Sequence, residues 1–286
     1  MGEIRTRSLG SLGLLVIISY IQRKFYLHDA RDICLNLNLN PSQKMTFYQE
    51  RTYRRSCLCP HLASFNARVK ETDLWILADQ DLTAQAVQSI SRHRRVLEKY
   101  LEENPQWGEA LTPLPPDPYA PLLVQQMLNA GQKAGTGPMA AVAGAIAQAV
   151  GRDLLEASPQ VVVENGGDLF IASNQDLTIG LWAGDSSLSG KIGLSLPRAL
   201  QPTGLATSSG TVGHSLSLGK TDAATVLAKD PALADAVATA MGNLVIHKKD
   251  LKPALNWAAG IKGVRGALLI AGENLAAWGE IELVRI

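Results

Sequence analysis

Cysteine is scarce in this chain, with three among 286 residues. So low and odd a count builds no disulfide framework and fits a reducing compartment, the cytoplasm. An excess of charge of one sign is also missing. Net charge is +1: residues 1–104 carry 15 basic and 11 acidic side chains, the remainder 12 and 15. Neither half has the strongly basic character of a nucleic-acid binder. The local cluster Arg92-His93-Arg94-Arg95 reads as the solvated face of an amphipathic helix. Long apolar runs are absent too. The stretch Leu9–Ile21 is shorter than the ~20 residues that span a bilayer. It follows Arg5 and Arg7, as in a signal peptide, yet Ser19–Lys24 offers no small-x-small cleavage site and no lipobox precedes a cysteine. Residues 1–44 therefore read as an N-terminal extension, either disordered or a weak signal anchor, and membrane association is not expected. Met45 opens the folded unit, 45–286. Cys57-x-Cys59-Pro60-His61 has no second ligand pair at zinc-finger spacing, so reduced thiols are its plain reading.

What is present is ample apolar content, 46% of residues, and a clear change of period along the chain. Alternation over Phe47–Arg55 and Ser64–Ala78 predicts strands, the second a hairpin turning at Lys70–Asp73. Val87, Ile90, Leu97 and Leu101 form the buried stripe of a helix opened by Asp81 or Thr83 and ended by Asn104-Pro105. Prolines at 105, 113, 115, 116 and 118 predict a stiff extended connector. Pro121 opens another helix to about Lys133. After Gly135-Thr136-Gly137-Pro138, Met139–Leu155 predicts a helix almost devoid of charge, hence buried at the centre. Its stripe Ala140, Gly144, Ala147, Gly151 lets either another element or a flat ligand approach closely. Strands follow at Val161–Glu164, Leu169–Ala172, Leu177–Ala183 and Lys191–Leu196, as in an antiparallel meander. A loop over Gly204–Gly213, a strand at Ala223–Ala228, the helix after Asp230-Pro231, and strands near Ala267–Ile270 and Glu280–Val284 close the chain. Strand runs interleaved with a few helices indicate an α+β class.

Three patterns carry chemistry. In the helix capped by Asp230, Asp235 and Thr239 stand four apart and share a face with Ala232, Ala236 and Asn243. A carboxylate and a hydroxyl on a bare face can hold Mg²⁺, which prefers oxygen ligands. Asp235 can equally serve the fold by accepting loop N–H groups such as those of Ser208 or Ser209. The run Gly204–Ser215, rich in Ser, Thr and Gly, offers N–H groups of the kind that cradle phosphates. Glu164-Asn165-Gly166-Gly167-Asp168 reads either as a hairpin turn, Asn-Gly being a leading type I′ pair, or as bare backbone on which a ring or phosphate docks.

The ordered motifs G-P-M-A-A-V-A-G-A-I-A, V-E-N-G-G-D, A-T-S-S-G-T-V-G-H-S and A-D-A-V-A-T resemble an uncharacterised family of ApbE-related proteins, from about Met45 to the C-terminus. More distantly, after about Met139, they resemble the ApbE-type FAD:protein FMN transferases. The resemblance implies an ApbE-like, T-fold-related α+β fold of antiparallel sheets with packed helices around a central buried small-residue helix. It implies Mg²⁺ ligands at Asp235, Thr239 and the Ala140 carbonyl. It implies a flavin-nucleotide site, for FAD or FMN, lined by Gly166, Gly167, Asp168, Thr207, Ser208, Ser209, Gly210 and His214. The partner so implied is a small-molecule nucleotide, with a client-protein Ser or Thr where transfer occurs. Departures are also plain. The transferases' lysine before the central-helix glycine is Ala143 here, Thr211-Val212 replaces their Tyr or Arg, and their H-x-I-D-P-x-T-G segment is absent. Loss of a fixed cation beside a pyrophosphate hurts turnover more than binding. The expected function is flavin-nucleotide binding at a Mg-assisted site with weak FMN transfer; the alternative is a ligand-free scaffold that keeps the fold.

Overall fold

The computed structural model describes residues 61–209 and 219–286, together with the backbone of 14–18. Its centre is an eight-stranded sheet in which every neighbour is antiparallel. In spatial order the strands are β11 (Asn274–Gly279), β10 (Val264–Ala271), β9 (Ala223–Ala228), β8 (Thr203–Ser208), β5 (Asp168–Ala172), β4 (Val161–Asn165), β3 (Thr72–Ala78) and β2 (Ala63–Val69). A smaller sheet holds β1 (Leu14–Ile18), β6 (Leu177–Leu181), β7 (Ile192–Leu196) and β12 (Glu282–Arg285), with β1 parallel to β6. Among the described residues there are six α-helices: α1 (Thr83–Glu103), α2 (Pro105–Glu109), α3 (Leu122–Ala134), α4 (Val142–Leu154), α5 (Pro231–Asn243) and α6 (Leu251–Ala259).

Strand sequence explains the layering. Val161, Val163, Phe170, Val226 and Leu269 face the helices, whereas Val162, Ile171, Leu227 and Ile270 face the smaller sheet. A sheet buried on both sides needs near-continuous apolar strands, which is why Val161-Val162-Val163 shows no alternation. Each such Val, Leu or Ile contributes about 1.5–3 kcal/mol on full burial. The result is three layers: helices, large sheet, small sheet. Nearly all of α5 and most of α4 are buried, and their alanines and glycines allow them to pack so closely.

The small-residue stripe of α4 is a packing device. A Cβ at Gly144 would stand 2.3 Å from the Pro231 carbonyl oxygen, and one at Gly151 would stand 2.1 Å from the Phe170 ring. Asp230 caps α5 as its sequence demands, accepting the Ala232 N–H at 2.9 Å with Pro231 at the first helical position.

Several expectations need correction. The proline-rich connector begins with the short helix α2, whose Trp107 is buried edge-on against Tyr100 at 5.6 Å. Helix α6 and strand β11 stand outside those expectations, although Leu251, Ala254, Leu255 and Ala258 keep the i, i+3, i+4, i+7 spacing of a helix. The Ser/Thr/Gly run is not a loop from Gly204 onward: Thr203–Ser208 is a central strand, paired on both sides. The meander holds only as hairpins: β4 and β5 lie in the large sheet, β6 and β7 in the small one. Arg94 is not part of a solvated face. It is 2% exposed and donates to Thr72 Oγ1, Glu71 and Glu98, each at 2.7 Å. Arg92 and His93 bond to Asp153. The Phe47–Arg55 run and both cysteines of the Cys57–His61 motif fall outside the described residues, as do Gly210 and His214.

Candidate functional site

Three positions on α5, Asp235, Thr239 and Gly242, are spaced i, i+4 and i+7 and so lie on one face. At its upstream end that face meets the first turn of α4. Asp235 is 1% exposed, and its Oδ2 accepts the Gly144 N–H at 2.9 Å. Next to it, the Ala143 carbonyl accepts from the Asn165 side-chain amide at 3.1 Å. The first turn of α4 is thus held between a carboxylate of α5 and an amide from the end of β4. This junction draws two motifs together that lie about 70 residues apart in the chain.

The second motif is a two-residue hairpin turn. Asn165 pairs with Asp168, leaving Gly166 and Gly167 as the loop with φ of 67° and 108°. Positive φ at both central positions is what a type I′ turn requires, and it falls on Gly-Gly rather than Asn-Gly. Asn165 is thereby freed to reach α4. Glu164, fully buried, accepts the Gly167 N–H at 3.0 Å through its carboxylate. Asp168 is 1% exposed and sits opposite Ala206 of β8.

The end of β8 supplies the next wall. Thr207 donates its N–H to the Gly167 carbonyl at 3.1 Å, and its hydroxyl bonds to that of Thr225 at 2.9 Å. Its side chain is therefore engaged across the sheet. Ser208 and Ser209 are buried. A Cβ placed on Gly242 would stand 3.8 Å from Ser208 Oγ and 3.4 Å from Thr221 Oγ1, so both hydroxyls approach the downstream end of the α5 face. Ala140 lies in the tight turn Pro138–Ala141 that leads into α4, with its N–H donated to the Gly137 carbonyl at 3.2 Å.

Among the described residues, two hydroxyls here are buried without a hydrogen-bond partner: Thr239 Oγ1 and Thr221 Oγ1. Leaving a buried hydroxyl unmet costs about 1–3 kcal/mol, so such groups call for an explanation. Among the described residues no group of three or more His, Cys, Asp or Glu is arranged to hold a metal ion. A cation on this face would rest on one carboxylate, hydroxyls, backbone oxygens and the ligand's own phosphates. That is the donor set Mg²⁺ takes in nucleotide sites, and the orphaned Thr239 hydroxyl one turn from Asp235 fits it.

Residues 55–275 match the model of the family described as AbpE bacteria. The chain belongs to this family. A UPF0280 protein of Methanosarcina barkeri is 37% identical over 220 residues, which is 76% of this chain and 87% of that one. A UPF0280 protein of Methanosphaerula palustris is 40% identical over 214 residues, 74% and 89% of the two chains. The solved ApbE protein of Thermotoga maritima superposes with a TM-score of 0.50 at 12% identity, over 75% of this chain and 96% of that one. The fold is therefore ApbE-like α+β, as the motifs imply. Within this ApbE-related chain, sequence motifs point to Asp235, Thr239 and the Gly-Gly turn. The side chains of Asn165, Glu164 and Thr221 were not singled out. Asn165 and Glu164 were visible inside their motif, but their reach depends on where the turn falls. Thr221 carries no signal, because only tertiary packing brings its hydroxyl to Gly242.

Proposed function

We propose that this ApbE-related protein binds a flavin nucleotide, FAD or FMN, on the Asp235–Thr239–Gly242 face of α5. The observation that supports this most is the buried, partnerless Thr239 hydroxyl beside a buried carboxylate. Asp235, Thr239 and the Ala140 carbonyl would hold Mg²⁺, which when bound neutralises a pyrophosphate and orients it. The Gly166-Gly167 turn presents backbone without side chains to the nucleotide, and Ser208 and Ser209 supply hydroxyl and N–H donors. Gly210 and His214 belong to the same proposed lining. The Asn165–Ala143 and Gly144–Asp235 bonds fix the spacing between the turn and the helix, so the two walls are positioned before any ligand arrives.

Weak transfer of FMN to a Ser or Thr hydroxyl of a client protein is the activity this reading allows. Ala143 stands where the transferases carry a lysine, so no fixed cation from that position stabilises the charge that develops at the phosphate. Binding is the primary role in this reading. The rival is a ligand-free scaffold, and the Gly144–Asp235 hydrogen bond is what favours it, since that bond gives the carboxylate a purely structural task.

Purified protein should carry flavin absorbance, or take up FAD with fluorescence quenching that tightens on addition of Mg²⁺. AMP release from FAD in the presence of a client reports transfer. FAD that fails to bind with or without Mg²⁺ would leave only the scaffold.

A further inference from the structure

A cavity of about 400 Å³ opens at the other end of α5, bordered by the ends of α3 and α4 and by the β9–α5 turn. Its volume lies in the range of small-molecule sites. Phe170, Leu155, Pro231 and Leu233 give it an apolar floor. Three cations surround it: Lys133 from the last turn of α3, Arg152 from the last turn of α4, and Lys229 just before the α5 cap. None of the three forms an ion pair among the described residues. The one carboxylate in the lining, Asp230, is committed to the Ala232 N–H. Gln148 is 1% exposed; with its amide oriented to satisfy both ends, it donates to Asp230 Oδ1 at 2.7 Å and accepts from Arg152 at 2.8 Å. A buried amide therefore holds the guanidinium at the cavity edge without neutralising it.

Three cations against the single carboxylate of Asp230 leave the rim of this concave apolar surface with a net positive charge, which favours an anion. We propose that this cavity is a second binding site, for a small organic anion with a flat apolar body and a phosphate or carboxylate head. The ring lies on Phe170 and Pro231, and the head meets Arg152 between the two lysines. Arg152 is suited to the task because its planar fork grips oxyanions in a bidentate way. The site adjoins the Asp235–Thr239 face without sharing its residues: Pro231 in the cavity wall is one turn, roughly 6 Å, before Asp235, and Thr239 lies roughly 12 Å along the helix at 1.5 Å per residue. It does not depend on the flavin reading.

The test is a fluorescence titration of the full chain with 1-naphthyl phosphate, alongside 1-naphthol and inorganic phosphate. The naphthyl phosphate should saturate, with each partial probe at least about tenfold weaker. In the triple variant Lys133→Gln, Arg152→Gln, Lys229→Gln, affinity for it should fall at least about tenfold, with the melting midpoint and any Mg²⁺-dependent FAD binding unchanged. Should the triple variant misfold, Lys133→Gln with Lys229→Gln, both on exposed side chains, must still weaken the probe. No saturation, equal binding of 1-naphthol, or wild-type affinity in the variants would overturn the proposal.

Discussion

At the scale of single residues, charge and hydrogen bonding at Asp235 are separable. Asp235→Asn keeps an oxygen that can accept the Gly144 N–H but removes the negative charge. It should preserve the fold and abolish the Mg²⁺-dependent part of FAD binding. Thr239→Val should cost no stability in the free protein and can add about 1 kcal/mol, because it deletes a buried hydroxyl that has no partner. The same variant should weaken Mg²⁺-dependent binding, less than Asp235→Asn does, since a neutral hydroxyl contributes less to a hard cation. Denaturant melts and FAD titrations on each variant read both effects. A large stability loss in Asp235→Asn with unchanged FAD affinity would leave the carboxylate a structural group alone. Asp153 gives a pH prediction. Burial alone would raise its pKa, but hydrogen bonds from Ser89, His93 and Arg92 outweigh that and hold it below the usual carboxylate value. A depressed folded-state pKa means this stabilisation is complete above the ordinary value, near 4, and is lost as pH falls through the lower folded value. Asp153→Asn should therefore flatten the acid limb of a stability-versus-pH curve.

Elements are where small residues show their purpose. Gly144→Ala drives a methyl group into the backbone of Pro231, which cannot rotate away, and overpacking of this kind costs about 1–3 kcal/mol. Gly151→Ala meets the Phe170 ring instead, a side chain with some room to shift, so the smaller loss is expected there. Chemical denaturation of both variants tests the order. Gly144→Ala also pries α4 from the carboxylate of Asp235, so its effect on ligand binding should exceed that of Gly151→Ala. On α1, Arg94 ties the helix to the β2–β3 hairpin through Thr72 and Glu71. Arg94→Met should cost about 3 kcal/mol, toward the low end for breaking a buried pair, because Glu71 stays half in solvent and can rehydrate.

For the whole molecule, the layered architecture predicts an uneven stability. Helix α5 packs against β8, β9, α3 and α4, and its residues from Pro231 to Ala238 are buried on every side. The amides of Ala234–Ala238 should exchange only through global unfolding, whereas residues 110–119 of the connector, where Leu111 and Tyr119 are largely exposed, should exchange orders of magnitude faster. Native-state hydrogen exchange distinguishes these. Among the described residues no helix is long and apolar enough to cross a membrane.

Much of this was legible in the chain itself, because local chemistry decides it. Asp230-Pro231 caps a helix wherever it is placed, apolar spacing defines α1 and α3, and a four-residue separation sets Asp235 and Thr239 on one face. The ApbE-like fold and family were carried by motifs whose order is itself sequence. Other features were decided only by distant partners. Thr203–Ser208 has the composition of a loop, yet pairing with β5 on one side and β9 on the other makes it a strand. The charge of Arg94 suggested solvent until Glu71 and Glu98 closed around it. Gly166-Gly167 rather than Asn165-Gly166 became the turn because register places Asn165 opposite Asp168, and that shift sends the Asn165 amide to α4. The candidate site lies where α4, α5, β4 and β8 converge, and convergence is a property of packing: each contributing residue is written in the sequence, but the distances between them are set by which faces bury against which.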